Sequence, residues 1–356
     1  MPAEGNRTET IQNDDSPGEG IGEPLSGTVV RSVSNFYDVL PHEVHGMEIP
    51  EPGIVRCRAR EKLRKELVKT ESKMRPQRVR TVRRLSVTDP IVIGDRVRFM
   101  MAPTSGRSVP EGVIEEVLPR ARELTRQAVT TGNVPVGQTL VANLDQIILV
   151  FATTSPDPSL GMIDRFLVSC EAVDFPVVIC INKSDLGISD ELAEALAVYE
   201  RNGYRVLRVS AETGAGLDVL RELVRDKISA FVGPSGVGKS TLLNALEPGL
   251  GLRVGDISTA TGKGTHTTRF AQLLPLSIGG FLADTPGIRQ LGLWDVSLDE
   301  LDHYFPEFRP FLGQCRFGNC AHMDEVDCAV KDAVERGEVD ERRYQSYVRL
   351  FTGAER

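Results

Sequence analysis

The sequence predicts a multidomain fold: a small N-terminal β-barrel, a central α/β domain built on a parallel sheet, and a short, mostly helical C-terminal domain. Three observations predict it. Short β-rich runs punctuated by Gly and Pro fill the stretch from Gly27 to about Thr104, with no sustained helical periodicity. From Val141 onward, continuous apolar runs alternate with segments of helical spacing. Beyond Trp294 the chain turns acidic and carries a Cys/His cluster.

A chain of 356 residues is long enough for two or three domains with real cores. At 40% hydrophobic and 26% charged it reads as a soluble globular protein. No segment approaches the ~20 apolar residues that a membrane helix needs, so no membrane partner is expected. The opening stretch "MPAEGNRTETIQNDDSPGEG" is acidic and has no apolar run. It therefore reads as a disordered tail over 1–25 rather than a signal peptide. A cytoplasmic location follows as the expectation, and there six cysteines rarely form structural disulfides.

The net charge of −8 is unevenly spread. Between Arg56 and Arg84 stand 13 Lys or Arg against three Glu, a local net of +10, so the remainder carries −18. Such a block suits a nucleic-acid partner, or it is a solvated charged loop. Its composition alone does not choose.

The barrel is read over 26–110 from "GTVVRSVSNFYDVL", "GIVRCRAR" and "DPIVIGDRVRFM", with the basic block as an insertion. An OB-type barrel binds oligonucleotides through a strand face and its loops. "EGVIEEVLPRARELTRQ" reads as a connector into the α/β domain, placed at 111–294. There "QIILVFA" and "PVVICIN" are strands buried on both faces. "SLGMIDRFLVSCEAV", "SDELAEALAVYERNG" and "GLDVLRELVRD" have helical spacing, while "YRVLRVS" and "ISAFVG" supply further strands. Cys170 and Cys180 fall in this core pattern as inert small hydrophobes. The C-terminal domain is placed at 295–356.

"GPSGVGKST" covers Gly233, Pro234, Ser235, Gly236, Val237, Gly238, Lys239, Ser240 and Thr241, between a β-run and a helix-forming segment. That is the phosphate-loop pattern in its required context. The glycines let backbone N–H groups turn toward phosphates at a helix N-terminus. Lys239 would reach the β- and γ-phosphates and Ser240 would ligate magnesium. Upstream, "NKSD" supplies Asn182, Lys183, Ser184 and Asp185. Asp185 suits the ring N–H and exocyclic amine of guanine, and would be left unpaired by adenine. Asn182 would bridge base and loop, with the Lys183 stem over the ring. Ser210 and Ala211, in "SAETG", would add contacts to the guanine. "FLADTPG" places Asp284 for magnesium and Gly287 at the γ-phosphate. In the Gly- and Thr-rich "TATGKGTHTTR", Thr267 or Thr268 would add a hydroxyl ligand to magnesium.

All five elements are present, but the base reader precedes the phosphate loop. The usual order has been opened at a different point, which compact domains with neighbouring termini tolerate. The central domain is thus predicted to be a circularly permuted phosphate-loop GTPase that turns GTP into GDP and phosphate.

On "VRCRAR", "GDRVRF", "ANLDQ", "NKSDL", "GPSGVGKSTLLN", "HTT", "DTPG" and the Cys/His cluster, the chain resembles the RsgA family over about residues 26–350. The family consists of circularly permuted GTPases of small ribosomal subunit biogenesis. The resemblance implies a barrel that contacts ribosomal RNA and hydrolysis stimulated by the small subunit. A monomer is expected. Two departures stand out: the basic insertion is longer, and Arg269 occupies a position where another Thr is expected. Ile288 follows the Asp-x-x-Gly stretch where many GTPases place a water-orienting glutamine. His266 is the nearest polar candidate for that task, and a similar His stands in the RsgA motif.

Cys315-x4-Cys320-x-His322-x5-Cys328 offers three thiolates and an imidazole, the ligand set of a closed structural zinc site. Cys57 stands apart from it. A competing function is an RNA-binding assembly scaffold that holds nucleotide as a structural ligand.

Overall fold

The computed structural model describes residues 21–33, 35–43, 53–60, 91–102, 109–128, 136–251, 271–284, 296 and 298–353. They fall into two compact units, one built from the chain before Leu118 and one mainly from Pro119 onward. The first twenty residues, the insertion over 61–90, and the sites expected at His266, Thr267, Thr268, Gly287 and Ile288 lie outside the described residues.

The first unit is a five-stranded barrel. Its strands are β1 (Ile21–Val33), β2 (Phe36–Pro41), β3 (Val55–Ala59), β4 (Arg96–Met101) and β5 (Glu111–Val117). They are ordered β1-β2-β3-β5-β4, and β4 returns to pair with β1. Among the described residues β3 and β5 pair in parallel, whereas β2–β3, β4–β5 and β1–β4 are antiparallel; this closure is of the OB type. Period-2 alternation turns Val55 and Cys57 into the core and Arg56 outward. Cys57 is therefore a core thiol, and its burial pushes its pKa far up.

Two readings of the barrel change. Strand β1 begins at Ile21, so residues 21–25 are strand rather than tail. The segment from Glu111 to Val117, expected to be a connector, is the strand that closes the barrel. Between Arg98 and Phe99 of β4 the register slips by one, which leaves Glu115 of β5 as the extra residue of a bulge. The adjacent Glu115 and Glu116 of β5 then meet arginines on different neighbours, Arg60 and Arg98. Adjacent acids hid the alternation. The rest of the supposed connector starts a hairpin of β6 (Glu123–Ala128) and β7 (Val136–Ala142), which belongs to the second unit.

The second unit carries the parallel sheet. Its elements are β8 (Gln146–Ala152), α1 (Leu160–Glu171), β9 (Val177–Asn182), α2 (Asp190–Arg201), β10 (Arg205–Arg208), α3 (Leu217–Val224), β11 (Ile228–Val232), α4 (Lys239–Leu246), β12 (Gln272–Pro275) and β13 (Phe281–Asp284). The order is β10-β9-β8-β11-β13-β12, parallel except for β12. Every residue of β8 is buried, as its unbroken apolar run requires. Helices α1 and α2 start at Ser159 and Ser189, whose hydroxyls accept from the N–H groups of Met162 and Leu192.

After two 3₁₀ segments, Leu298–Tyr304 and Pro306–Phe311, the chain ends in α5 (Ala329–Glu335) and α6 (Glu341–Thr352). Phe305, Phe308 and Tyr347 form the aromatic core of this lobe. Buried Arg343 of α6 donates to Asp164 of α1 and to Glu307, each at 2.5 Å, and lies 4.6 Å over the Phe305 ring. Tyr199 of α2 donates to the same Asp164 at 2.7 Å. The pair with Asp164 ties the lobe to the parallel-sheet domain, while Glu307 holds Arg343 within the lobe.

Candidate nucleotide site and metal centre

The parallel strands β9 and β13 end at Asn182 and Asp284, and β10 and β11 lead directly into Ser210 and Gly233. Residues far apart in sequence therefore gather along one edge of the sheet, where open α/β folds bind their ligands. At Gly233 (φ 153°) a Cβ would stand 2.0 Å from the Val150 carbonyl oxygen. At Gly238 (φ 87°) it would meet the Asn182 amide at 2.6 Å. Only glycine lets this loop lie so close to β8 and to the base reader. Gly238 caps α4, which starts at Lys239 and aims its N–H groups at the loop. At the other end of α4, Arg221 of α3 donates to the Ala245 carbonyl at 2.9 Å. A cation there complements the helix dipole.

The polar side chains are joined in one network. The Asn182 amide donates to the Val237 carbonyl at 2.9 Å and accepts from the Ala211 N–H at 3.2 Å. It thus stitches the phosphate loop to the SAETG loop. Asp185 accepts from the Ser210 hydroxyl at 2.5 Å, and that hydroxyl also accepts from the Thr213 N–H at 3.1 Å. The Lys183 ammonium donates to the Gly236 carbonyl at 3.0 Å and to the Ser155 carbonyl. The Lys239 ammonium donates to the Gly233 and Pro234 carbonyls at 2.8 and 2.5 Å. Ser240 is buried at the first turn of α4, with Thr241 following it. Base reader, SAETG loop and phosphate loop are thus brought together, and Asp284 ends the strand next to β11.

The sequence reading passed over one contributor. The loop after β8, from Thr153 to Pro156, touches both Lys183 and the phosphate loop. Its sequence matches no motif; the only signal is its place at the end of a buried strand.

In the C-terminal lobe, the ligand atoms of Cys315, Cys320, His322 and Cys328 all lie within 4.8 Å of one another. The Cys315 and Cys328 sulfurs are 3.9 Å apart, and His322 Nδ1 lies 3.3 Å from Cys328 Sγ and 3.6 Å from Cys315 Sγ. A tetrahedron with bonds of ~2.3 Å has edges of about 3.8 Å, so the donor set fits a zinc site. Asp302 meets His322 Nε2 at 3.3 Å, which orients the ring with Nδ1 toward the sulfurs. Sequence spacing gave no hint of Asp302. His322 adopts a left-handed backbone (φ 59°), and the Tyr344 hydroxyl holds its carbonyl at 2.8 Å. Burial pushes the Cys320 thiol up to about 12 and raises Cys328 as well. Thiolates would persist there at neutral pH only against a cation.

Comparison with known proteins agrees with this geometry. A family model described as RsgA GTPase matches residues 117–294. A protein of Gemmatimonas aurantiaca named small ribosomal subunit biogenesis GTPase RsgA is 46% identical over 261 residues, covering 73% of this chain and 83% of that protein. Its namesake in Geobacillus kaustophilus is 41% identical over 325 residues, covering 90% and 94%. Among solved structures, YjeQ from Thermotoga maritima matches with a TM-score of 0.67 and 36% identity, over 93% of this chain and 98% of that one. YloQ, described as a circularly permuted GTPase, matches with a TM-score of 0.65 and 30% identity, over 93% and 95%. With the family model matching half of the chain and relatives at 36–46% identity matched over most of their length, the chain belongs to the RsgA family of circularly permuted GTPases.

Proposed function

We propose that the protein hydrolyses GTP to GDP and phosphate while docked on the small ribosomal subunit, and that this GTPase cycle assists late maturation of that subunit. The observation that carries the reading is the Asn182–Asp185–Ser210 network, which joins a guanine reader to a phosphate loop at one sheet edge. Asp185 would accept from guanine, and Lys239 with the N–H groups from Gly236 to Thr241 would hold the phosphates. Ser240, Asp284 and Thr268 would hold magnesium. Gly287 would meet the γ-phosphate, and His266 would position the attacking water. A magnesium ion there would neutralise charge developing on the phosphates.

Zinc bound by Cys315, Cys320, His322 and Cys328 would be structural, because four protein ligands leave no position for a catalytic water. The barrel, taken as running to Val117, and the zinc lobe are the surfaces proposed to meet ribosomal RNA. For the barrel, the insertion over 61–90 rather than Arg56, Arg58 and Arg60 would carry this contact. Arg56 pairs with Asp38 at 3.0 Å, Arg60 pairs with Glu115, and Arg58 stacks 4.7 Å over Phe36.

Cosedimentation with purified small subunits tests the proposal. The protein should pellet with subunits when bound to a non-hydrolysable GTP analogue and leave them with GDP. Equal pelleting in both states would favour the scaffold reading.

A further inference from the structure

We infer that Thr153 is a positioning residue for guanine recognition, acting through Lys183; this rests on the guanine reading of Asp185 proposed above. Thr153 follows β8 directly and is buried. Its N–H donates to the Asn182 carbonyl at 3.0 Å, and its hydroxyl donates to the Lys183 carbonyl at 2.8 Å. One residue thus holds two successive carbonyls of the base reader.

That grip matters because Lys183 is in the left-handed region (φ 60°, ψ 33°), which a side chain with a Cβ adopts only when its surroundings enforce it. The left-handed residue launches the short 3₁₀ turn Ser184–Leu186 that carries Asp185. The same loop also holds the far end of Lys183, because the Ser155 carbonyl accepts from its ammonium. Pro156 packs against the phosphate loop: its Cδ is 3.4 Å from where a Cβ on Gly236 would stand. The loop from Thr153 to Pro156 therefore sets the base reader against the phosphate loop. Thr153 supplies the hydroxyl that ties this loop to the backbone of the base reader.

Without this hydroxyl, Lys183 can relax from its left-handed conformation and Asp185 loses its setting opposite Ser210. The turn keeps a second anchor, from the Ser184 N–H to the Val209 carbonyl at 3.1 Å, so the fold should survive. What suffers is discrimination. The contact most sensitive to the Asp185 carboxylate is the exocyclic amine, which guanine has and hypoxanthine lacks.

The test measures equilibrium binding of GTP and inosine triphosphate to the full-length wild type, Thr153→Val and Thr153→Ser. Wild type should prefer GTP. Thr153→Val keeps the shape but removes the hydroxyl. It should lower GTP affinity about tenfold, the effect of one lost buried hydrogen bond, and move the GTP preference toward parity. Thr153→Ser, with the hydroxyl restored, should keep both. Should Thr153→Val fail to fold, Thr153→Ala against Thr153→Ser makes the same comparison. An unchanged GTP preference in the hydroxyl-free variant would overturn the inference, as would equal weakening of both nucleotides in the Val and Ser variants. A wild type that does not prefer GTP would defeat the guanine reading itself, and this inference with it.

Discussion

Asp185 stands on an exposed turn, with one carboxylate oxygen held by the Ser210 hydroxyl. That leaves the carboxylate free to rotate little and to accept from a base edge. Asp185→Asn keeps an oxygen for Ser210, so the turn should persist while base choice changes. GTP affinity should fall about a hundredfold or more, the scale reached when a hydrogen-bonding site meets the wrong partner. Xanthosine triphosphate should gain, because the new amide donates to its exocyclic oxygen. Competition binding with both nucleotides checks this; unchanged GTP affinity would remove Asp185 from the site. At this scale the sequence was most informative. Phosphate loops and base readers need particular residue types at fixed spacing, so Gly233, Lys239 and Asp185 stand out one by one as candidates. Thr153 and Asp302 do not, because the side chain of each reaches a site residue distant in sequence through one hydrogen bond. No spacing rule encodes such a contact.

Among the elements, the buried parallel strands were legible and the barrel strands less so. An unbroken run as short and as rich in β-branched residues as that of β8 reads as a strand covered on both faces. Strand β5 was obscured by two adjacent glutamates, whose partners are Arg60 just past β3 and Arg98 of β4, on either side of a bulge. Such pairing appears only once the barrel closes. The metal lobe shows a related dependence. Its aromatic core packs around His322, with Phe308 and Tyr347 rings each 6.4 Å away. Chelation should therefore melt residues 298–353 first, since metal-binding energy in such sites is largely folding energy. Limited proteolysis should cut the zinc-free protein within this lobe while the phosphate-loop domain still binds GTP. Native protein that holds no zinc and resists cleavage there would reject the metal's structural role.

Across the whole molecule, re-cutting the chain explains why a base reader can precede its phosphate loop and still lie beside it. Strand β11 sits between β8 and β13, so the permuted order restores the neighbours that the chemistry needs. The permutation also places the C-terminal lobe directly after β13, and Arg343 fixes that lobe to α1, the helix that follows the Thr153–Pro156 loop. Ile288 occupies the sequence position where many GTPases carry a water-orienting glutamine, so slow turnover by the free protein is the expectation. The most direct test of docking-triggered hydrolysis is phosphate release from GTP, measured with and without purified small ribosomal subunits. Turnover should be slow alone and rise about a hundredfold on subunits, within the range of a positioned acid or base, with no comparable rise for ATP. Equal rates with and without subunits would contradict the account.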